Sequence, residues 1–220
     1  MTNDWLKGAM DKRTEKRKSG KAESSIIVPI NQACEASQMV LPNEQVIKIL
    51  SNTKLIALQP CECRTNLNKC DASKDTCIIL DSTAESQIKD GGARQISIDE
   101  AKRILKVTED AGLVHMIINV KGWVPEAICS CCPCCCQELN ALLKFGRLDA
   151  VLQSDYIVEK DECKCINCGK CIEKCHFKAH EKYDGKVIFA PQKCYGCGLC
   201  VTCCPKTALK LIKREAQAST

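Results

Sequence analysis

Residues 164–179 read KCINCGKCIEKCHFKA, and residues 193–208 read KCYGCGLCVTCCPKTA. Laid over one another, the two stretches share a leading lysine, four cysteines, the glycine between the second and third cysteines, and a closing alanine. Each has the form C-x2-C-x2-C-x3-C, with Cys165, Cys168, Cys171 and Cys175 in the first and Cys194, Cys197, Cys200 and Cys204 in the second. Chance does not place four cysteines twice at the same intervals, so this is a duplicated unit. Between the copies, Tyr183-Asp184-Gly185-Lys186 reads as a hairpin turn leading into an apolar run at 187–189.

The duplicated run resembles the bacterial-type two-[4Fe-4S] ferredoxins, and the resemblance covers about residues 155–214. It implies a compact pseudo-twofold domain holding two clusters. In that pattern the first three cysteines of a run wrap one cluster and the fourth ligates the other. The implied ligands are Cys165, Cys168, Cys171 and Cys204 for one cluster, and Cys194, Cys197, Cys200 and Cys175 for its partner. A pair of zinc knuckles is the alternative, but zinc sites usually join two C-x2-C units across a longer gap. Two departures from the family stand out. His176 occupies the position that Pro205 holds in the second copy, and Cys203 competes with Cys204 as fourth ligand. Spacing and the following proline favour Cys204. Cys163 aligns with Gln192 and reads as a spare thiol, as does Cys34.

Working outward, 21 of 220 residues are cysteine, a density typical of small secreted disulfide scaffolds. Length, an odd cysteine number and a charged N-terminus with no apolar signal segment argue against export. The longest apolar stretches, such as 113–120, fall short of the ~18–20 residues of a membrane span. A cytoplasmic metalloprotein is the expectation. Residues 1–21 carry seven basic and three acidic side chains, most of the chain's excess positive charge of +5. They read as a disordered, solvated tail. Such an arm suits a phosphate backbone, yet eight aromatic residues in the whole chain leave little for base stacking, so nucleic acid is disfavoured as a partner.

The expected fold class is α+β. A basic tail (1–24) precedes a small cysteine-rich α/β domain (25–153), the pseudo-twofold domain (154–214) and a short tail (215–220). Within 25–153, helices are predicted from Pro42 to about Ser51, from Ser97 (with capping-box spacing to Glu100) to Gly112, and from Gln137 to about Phe145. Strands are predicted at 54–58 and 113–120, and 61–96 reads as a polar, cysteine-bearing loop. His115, inside the second strand, reads as a hydrogen-bonded core residue rather than a ligand.

Ten more cysteines lie upstream in two groups: Cys61, Cys63, Cys70 and Cys77, and the run Cys129, Cys131, Cys132, Cys134, Cys135 and Cys136. Burial as small hydrophobes is one explanation, but six cysteines within eight positions are difficult to bury that way. The reading is a third site drawn from both groups, with Cys61, Cys63, Cys70, Cys77, Cys129, Cys131, Cys132 and Cys135 as candidate ligands. Pro133 suits the first turn of the following helix, and Arg64 is placed to neutralise thiolates. An iron–sulfur cluster, zinc and a redox-active dithiol all remain open for this site. From Ile26 onward the chain also resembles ferredoxin-fusion proteins of strict anaerobes. That resemblance rests on Cys61-Glu62-Cys63-Arg64, Gly112-Leu113-Val114-His115, the 129–136 run and the two C-terminal motifs.

Neither a G-x-G-x-x-G nor a P-loop fingerprint occurs. The expected function is electron transfer through two [4Fe-4S] clusters, with a redox partner protein as donor or acceptor. The alternative is an oxidoreductase component, an enzyme whose upstream cysteines hold a substrate-reactive cluster or dithiol. Twelve Lys/Arg against seven Asp/Glu in 155–214 suggest a partner with acidic patches.

Overall fold

The computed structural model describes residues 38–120 and 124–214; the basic tail, Cys34 and residues 215–220 lie outside them. The first part builds a six-stranded sheet from β1 (Gln38–Val40), β2 (Ile56–Pro60), β3 (Asp75–Leu80), β4 (Arg94–Gln95), β5 (Val114–Val120) and β6 (Val124–Cys131), in the order β1-β5-β6-β3-β2-β4. Every pairing is antiparallel. The unit is therefore antiparallel α+β rather than the α/β arrangement that alternating helices and strands suggested.

Helices α1 (Asn43–Asn52) and α4 (Ile98–Asp110) cover one face. Val46 and Leu50, one turn apart, point α1 into the core, and Ala101 and Leu105 do the same for α4. Ser97 caps α4 as its sequence predicts, its Oγ accepting the Glu100 N–H at 3.1 Å. Gly112, at φ +77°, ends that helix in the left-handed conformation. These helices meet Ile56, Leu58, Ile78, Leu80, Ile117 and Ile128 of the sheet. His115 is buried, with Nδ1 3.2 Å from Ser130 Oγ, which matches the core role expected of it. Burial pushes its pKa down to about 4.

The polar segment 61–96 holds far more structure than expected: α2 (Glu62–Leu67), β3, α3 (Asp81–Lys89) and β4. Beta-strand 3 escapes notice because its buried run, Ile78-Ile79-Leu80, is short and sits among Asp, Ser and Thr. No turn residues separate it from α3. Instead Asp81 takes φ +46°, and its carboxylate accepts the Lys54 and Leu55 N–H groups at 2.8 and 3.2 Å.

The other face of the sheet carries Ala57, Ile79 and Ala127 under α3, and Val40, Val114, Met116 and Cys131 under α5 (Gln137–Phe145) and the C-terminal unit. Cysteines 129 and 131 both point here because alternate strand residues share a face. Residues 150–152 run alongside β1 through Val40 N–H to Leu152 O and Leu152 N–H to Gln38 O.

The C-terminal unit consists of β7 (Tyr156–Lys160), α6 (Lys170–Lys174), β8 (His180–Tyr183), β9 (Lys186–Phe189), a 3-10 turn (Pro191–Lys193), α7 (Leu199–Thr202) and β10 (Leu209–Lys213). Beta-strand 7 pairs with β10 and β8 with β9, each time antiparallel. The sequence repeat is also a structural repeat. Gly169 and Gly198 precede their helices at φ +81° and +83°. Asn167 and Gly196, and likewise Lys178 and Thr207, are matched positive-φ pairs.

Gly196 is the tightest of these points, since a Cβ there would overlap Ser154 Oγ and the Tyr156 carbonyl. Gly196→Ala is expected to destabilise the chain by about 2 kcal/mol or more, combining overpacking with left-handed strain. Gly185, at φ +74° with open space around it, should cost only about 1 kcal/mol as alanine. Anaerobic thermal unfolding of the two variants checks the order.

Candidate metal centres

None of the described cysteines is in a disulfide; all twenty are free thiols. In the C-terminal unit they gather into two sets. Cys165, Cys168, Cys171 and Cys204 line one small cavity. Burial is the largest cause raising the pKa of Cys200, and Cys197, Cys175, Cys194 and Cys203 add to it in that order. Burial, followed by Cys175 and Cys194, also pushes Cys197 up to about 12. Four thiolates at these spacings repel one another unless a cation or cluster joins them.

Backbone amides are aimed at the sulfurs in matching places. Ala179 N–H reaches Cys175 Sγ at 3.2 Å, and Ala208 N–H reaches Cys204 Sγ at 3.3 Å. These donors stabilise thiolate and tune a bound metal. Cys203 does not line the cavity, and its thiol donates to the Cys200 carbonyl at 3.4 Å. Cys163 is exposed, its N–H held by Asp161 Oδ1 at 3.0 Å. His176 has a different task from the proline it replaces. Its Nε2 lies 2.7 Å from the Gly112 carbonyl, and Lys174 Nζ donates to the Asp110 carbonyl at 3.2 Å. Both contacts tie the C-terminal unit to the end of α4. Phe177, stacked on Tyr195 at 4.4 Å between ring centroids, joins the same shared core.

The ten upstream cysteines divide into two groups, where the sequence suggested one site. In the first, the sulfurs of Cys70, Cys132, Cys134 and Cys135 all lie within 4.8 Å of one another. The second is a chain of side-chain contacts running Cys61, Cys77, Cys129, Cys131, Cys136; Cys63 acts on Cys77 at its edge. Cys134 and Cys136 were missing from the sequence-based ligand set. The missed signal was geometric. Pro133 sits in a tight turn closed by Cys136 N–H to Cys132 O at 3.0 Å, not in the first turn of α5, and Cys136 is the N-cap. The turn folds Cys132, Cys134 and Cys135 together and leaves Cys136 with the strand pair. Cys129, on β6, continues the antiparallel register that places Ile78 opposite Ile128, which sets it beside Cys77.

Each group contains one acidified thiol. Hydrogen bonds from Cys131 and then Cys77 lower the pKa of Cys129. At Cys132 burial acts upward, but Cys134, the Cys135 N–H, Cys70 and Arg64 together bring the pKa below its ordinary value. Arg64 lies between the groups with no exposed surface. It donates to Thr76 Oγ1 at 2.7 Å, Ser130 O at 2.8 Å and Cys132 Sγ at 3.7 Å. None of the ion pairs among the described residues includes it. Burial works to lower its pKa, and Cys61, Cys132, Cys131 and Cys70 outweigh that effect. A buried guanidinium needs negative charge nearby, and the ionisable groups acting on this one are cysteines, of which Cys132 is the one shifted toward thiolate.

Residues 164–209 match the family described as a 4Fe-4S dicluster domain. An uncharacterized ferredoxin of Methanocaldococcus jannaschii is 36% identical over 50 residues, which are 22% of this chain and 81% of that protein. The chain belongs to the ferredoxin family through this segment. A second uncharacterized ferredoxin of the same organism is 35% identical over 81 residues, 37% of this chain and 46% of the relative. An archaeal-type glutamate synthase [NADPH] of Dehalococcoides mccartyi is 42% identical over 60 residues, 26% of this chain, and the chain spans 12% of that relative's length. The ferredoxin segment is thus an iron–sulfur domain of the electron-transfer type. No helix among the described residues is long and apolar enough to cross a membrane.

The His176 tether gives a prediction. His176→Ala should leave iron content and visible absorption unchanged while removing about 1 kcal/mol of docking. Hydrogen exchange should then quicken at the Leu113 amide, which donates to the Thr108 carbonyl.

Proposed function

We propose that the chain is a cytoplasmic electron-transfer protein in which two [4Fe-4S] clusters pass single electrons to or from a redox partner protein. One cluster is held by Cys165, Cys168, Cys171 and Cys204, and the other by Cys175, Cys194, Cys197 and Cys200. The observation that carries this reading is the crossed grouping of thiols. Cys204 shares a cavity with the first copy of the motif, and Cys175 stands with the second. The clusters supply one-electron chemistry when bound, at potentials set by charge, hydrogen bonds and exposure. The chain's own contribution is to hold the thiolates, aim the Ala179 and Ala208 amides at two of them, and exclude water with Phe177, Tyr195 and Leu199.

A third centre, formed by Cys61, Cys77, Cys129, Cys131 and Cys136, belongs to the same reading. Cys129, Cys131 and Cys136 share a packed cluster with Cys175 and Cys197, so an iron–sulfur group there stands next to the ferredoxin domain. That contact also supports the second reading, an oxidoreductase component in which these upstream thiols meet a substrate and the ferredoxin domain feeds them.

Iron and sulfide analysis of anaerobically purified chain tests the ligand assignment. Cys204→Ser should lower iron by about four atoms per chain, whereas Cys203→Ser should leave it unchanged; the reverse result would exchange their roles. The basic character of 155–214 yields a second expectation. Electron transfer to an acidic partner should slow as ionic strength rises through the range where the Debye length shrinks below about 10 Å, and a flat salt profile contradicts it.

A further inference from the structure

The four-thiol group upstream has dimensions that the other groups do not disclose. Cys70 and Cys132 sulfurs are 3.7 Å apart, and all four sulfurs of Cys70, Cys132, Cys134 and Cys135 fall within 4.8 Å of one another. A tetrahedral ion with metal–sulfur bonds of about 2.3 Å spaces its thiolates at ~3.8 Å. An iron–sulfur cube is larger than a single ion and must spread its ligands further, so this set is too tight for one.

The surroundings suit an anionic, closed site. Arg64 Nη1 donates to Cys132 Sγ, the Lys69 amide to Cys135, and the Cys135 amide to Cys132. Arg64 Nε is buried without a hydrogen-bond partner, and Cys61, Cys132, Cys131 and Cys70 act on the guanidinium's charge. Leu113, Leu67 and Ala72 wall the group with apolar surface. Cys70 follows α2, and the other three come from the turn between β6 and α5, so one ion would staple two distant loops.

We propose that Cys70, Cys132, Cys134 and Cys135 bind one structural zinc ion, separate from any iron–sulfur group, with Arg64 as its counter-cation. The proposal rests on the reading that the upstream cysteines bind metal, and it divides them. Four protein thiolates leave no open position, which is the mark of a structural rather than a catalytic zinc. Zinc is chosen over ferrous iron because it stands higher in affinity for the same ligands.

Metal analysis of the full chain, purified anaerobically, should find about one zinc per chain beside the iron. The Cys70→Ser/Cys134→Ser double variant should lose the zinc and keep the iron and sulfide. If that variant loses iron and the parent holds no zinc, the group is part of an iron site and the proposal fails. Retention of zinc by the variant also overturns it. Where the variant does not fold, zinc-edge X-ray absorption of the unaltered chain decides: four sulfur neighbours at about 2.3 Å support the site, and any nitrogen or oxygen neighbour refutes it. Iron content and sulfide report on the cluster reading independently, so either reading can fail alone.

Discussion

Thiolates repel one another, and this chain brings them together in four places. That constraint governs the rest of the structure. A free thiol settles into an apolar core as readily as alanine does, but several ionised thiols gathered at one site call for a shared cation, a cluster, or a buried positive charge. In the ferredoxin segment Cys165, Cys168, Cys171 and Cys204 line one cavity, and paired amide donors reach Cys175 and Cys204; the two crossed clusters proposed above would meet the demand there. The upstream unit meets it with Arg64, fully buried and set between two sulfur groups. The sheet supplies the platform: β6 sends Cys129 and Cys131 toward the face on which the ferredoxin domain packs, while Ser130 turns the other way to His115 and Thr108.

The two units are therefore not a carrier and an appendage. Val40, Val114, Met116 and Leu139 from the upstream unit share one core with Phe177 and Leu199 from the ferredoxin domain. Pro205 of the second copy is exposed, whereas His176 in the first copy reaches the Gly112 carbonyl. A substitution that looked like a change beside a cluster is a joint between units.

The duplication in the ferredoxin segment and its iron–sulfur character were legible in the cysteine spacing, because four cysteines at fixed intervals constrain the local backbone, whereas the flanking strands β7, β8 and β10 were not. The matched left-handed residues at 167 and 196, 169 and 198, and 178 and 207 follow from that repeat. Helices with a cap and a clear apolar stripe, such as α4 behind Ser97, were equally legible. What stayed hidden depended on contacts between segments distant in sequence. Beta-strand 3 has too few apolar residues to announce itself and gains its place from pairing on both edges. The division of the upstream cysteines was hidden for the same reason, since Cys70 meets Cys132 across 62 positions and only the tight turn at Pro133 separates Cys135 from Cys136.

Everything proposed for the ferredoxin domain turns on two reducible clusters lying close together. Electron paramagnetic resonance of the reduced full chain, with spin quantification, addresses it most directly. Two spins are expected from the ferredoxin domain, with spectra broadened by their mutual interaction, both lost when Cys165 and Cys194 are replaced by serine. A single isolated spin, or signals that survive that double replacement unchanged, would contradict it.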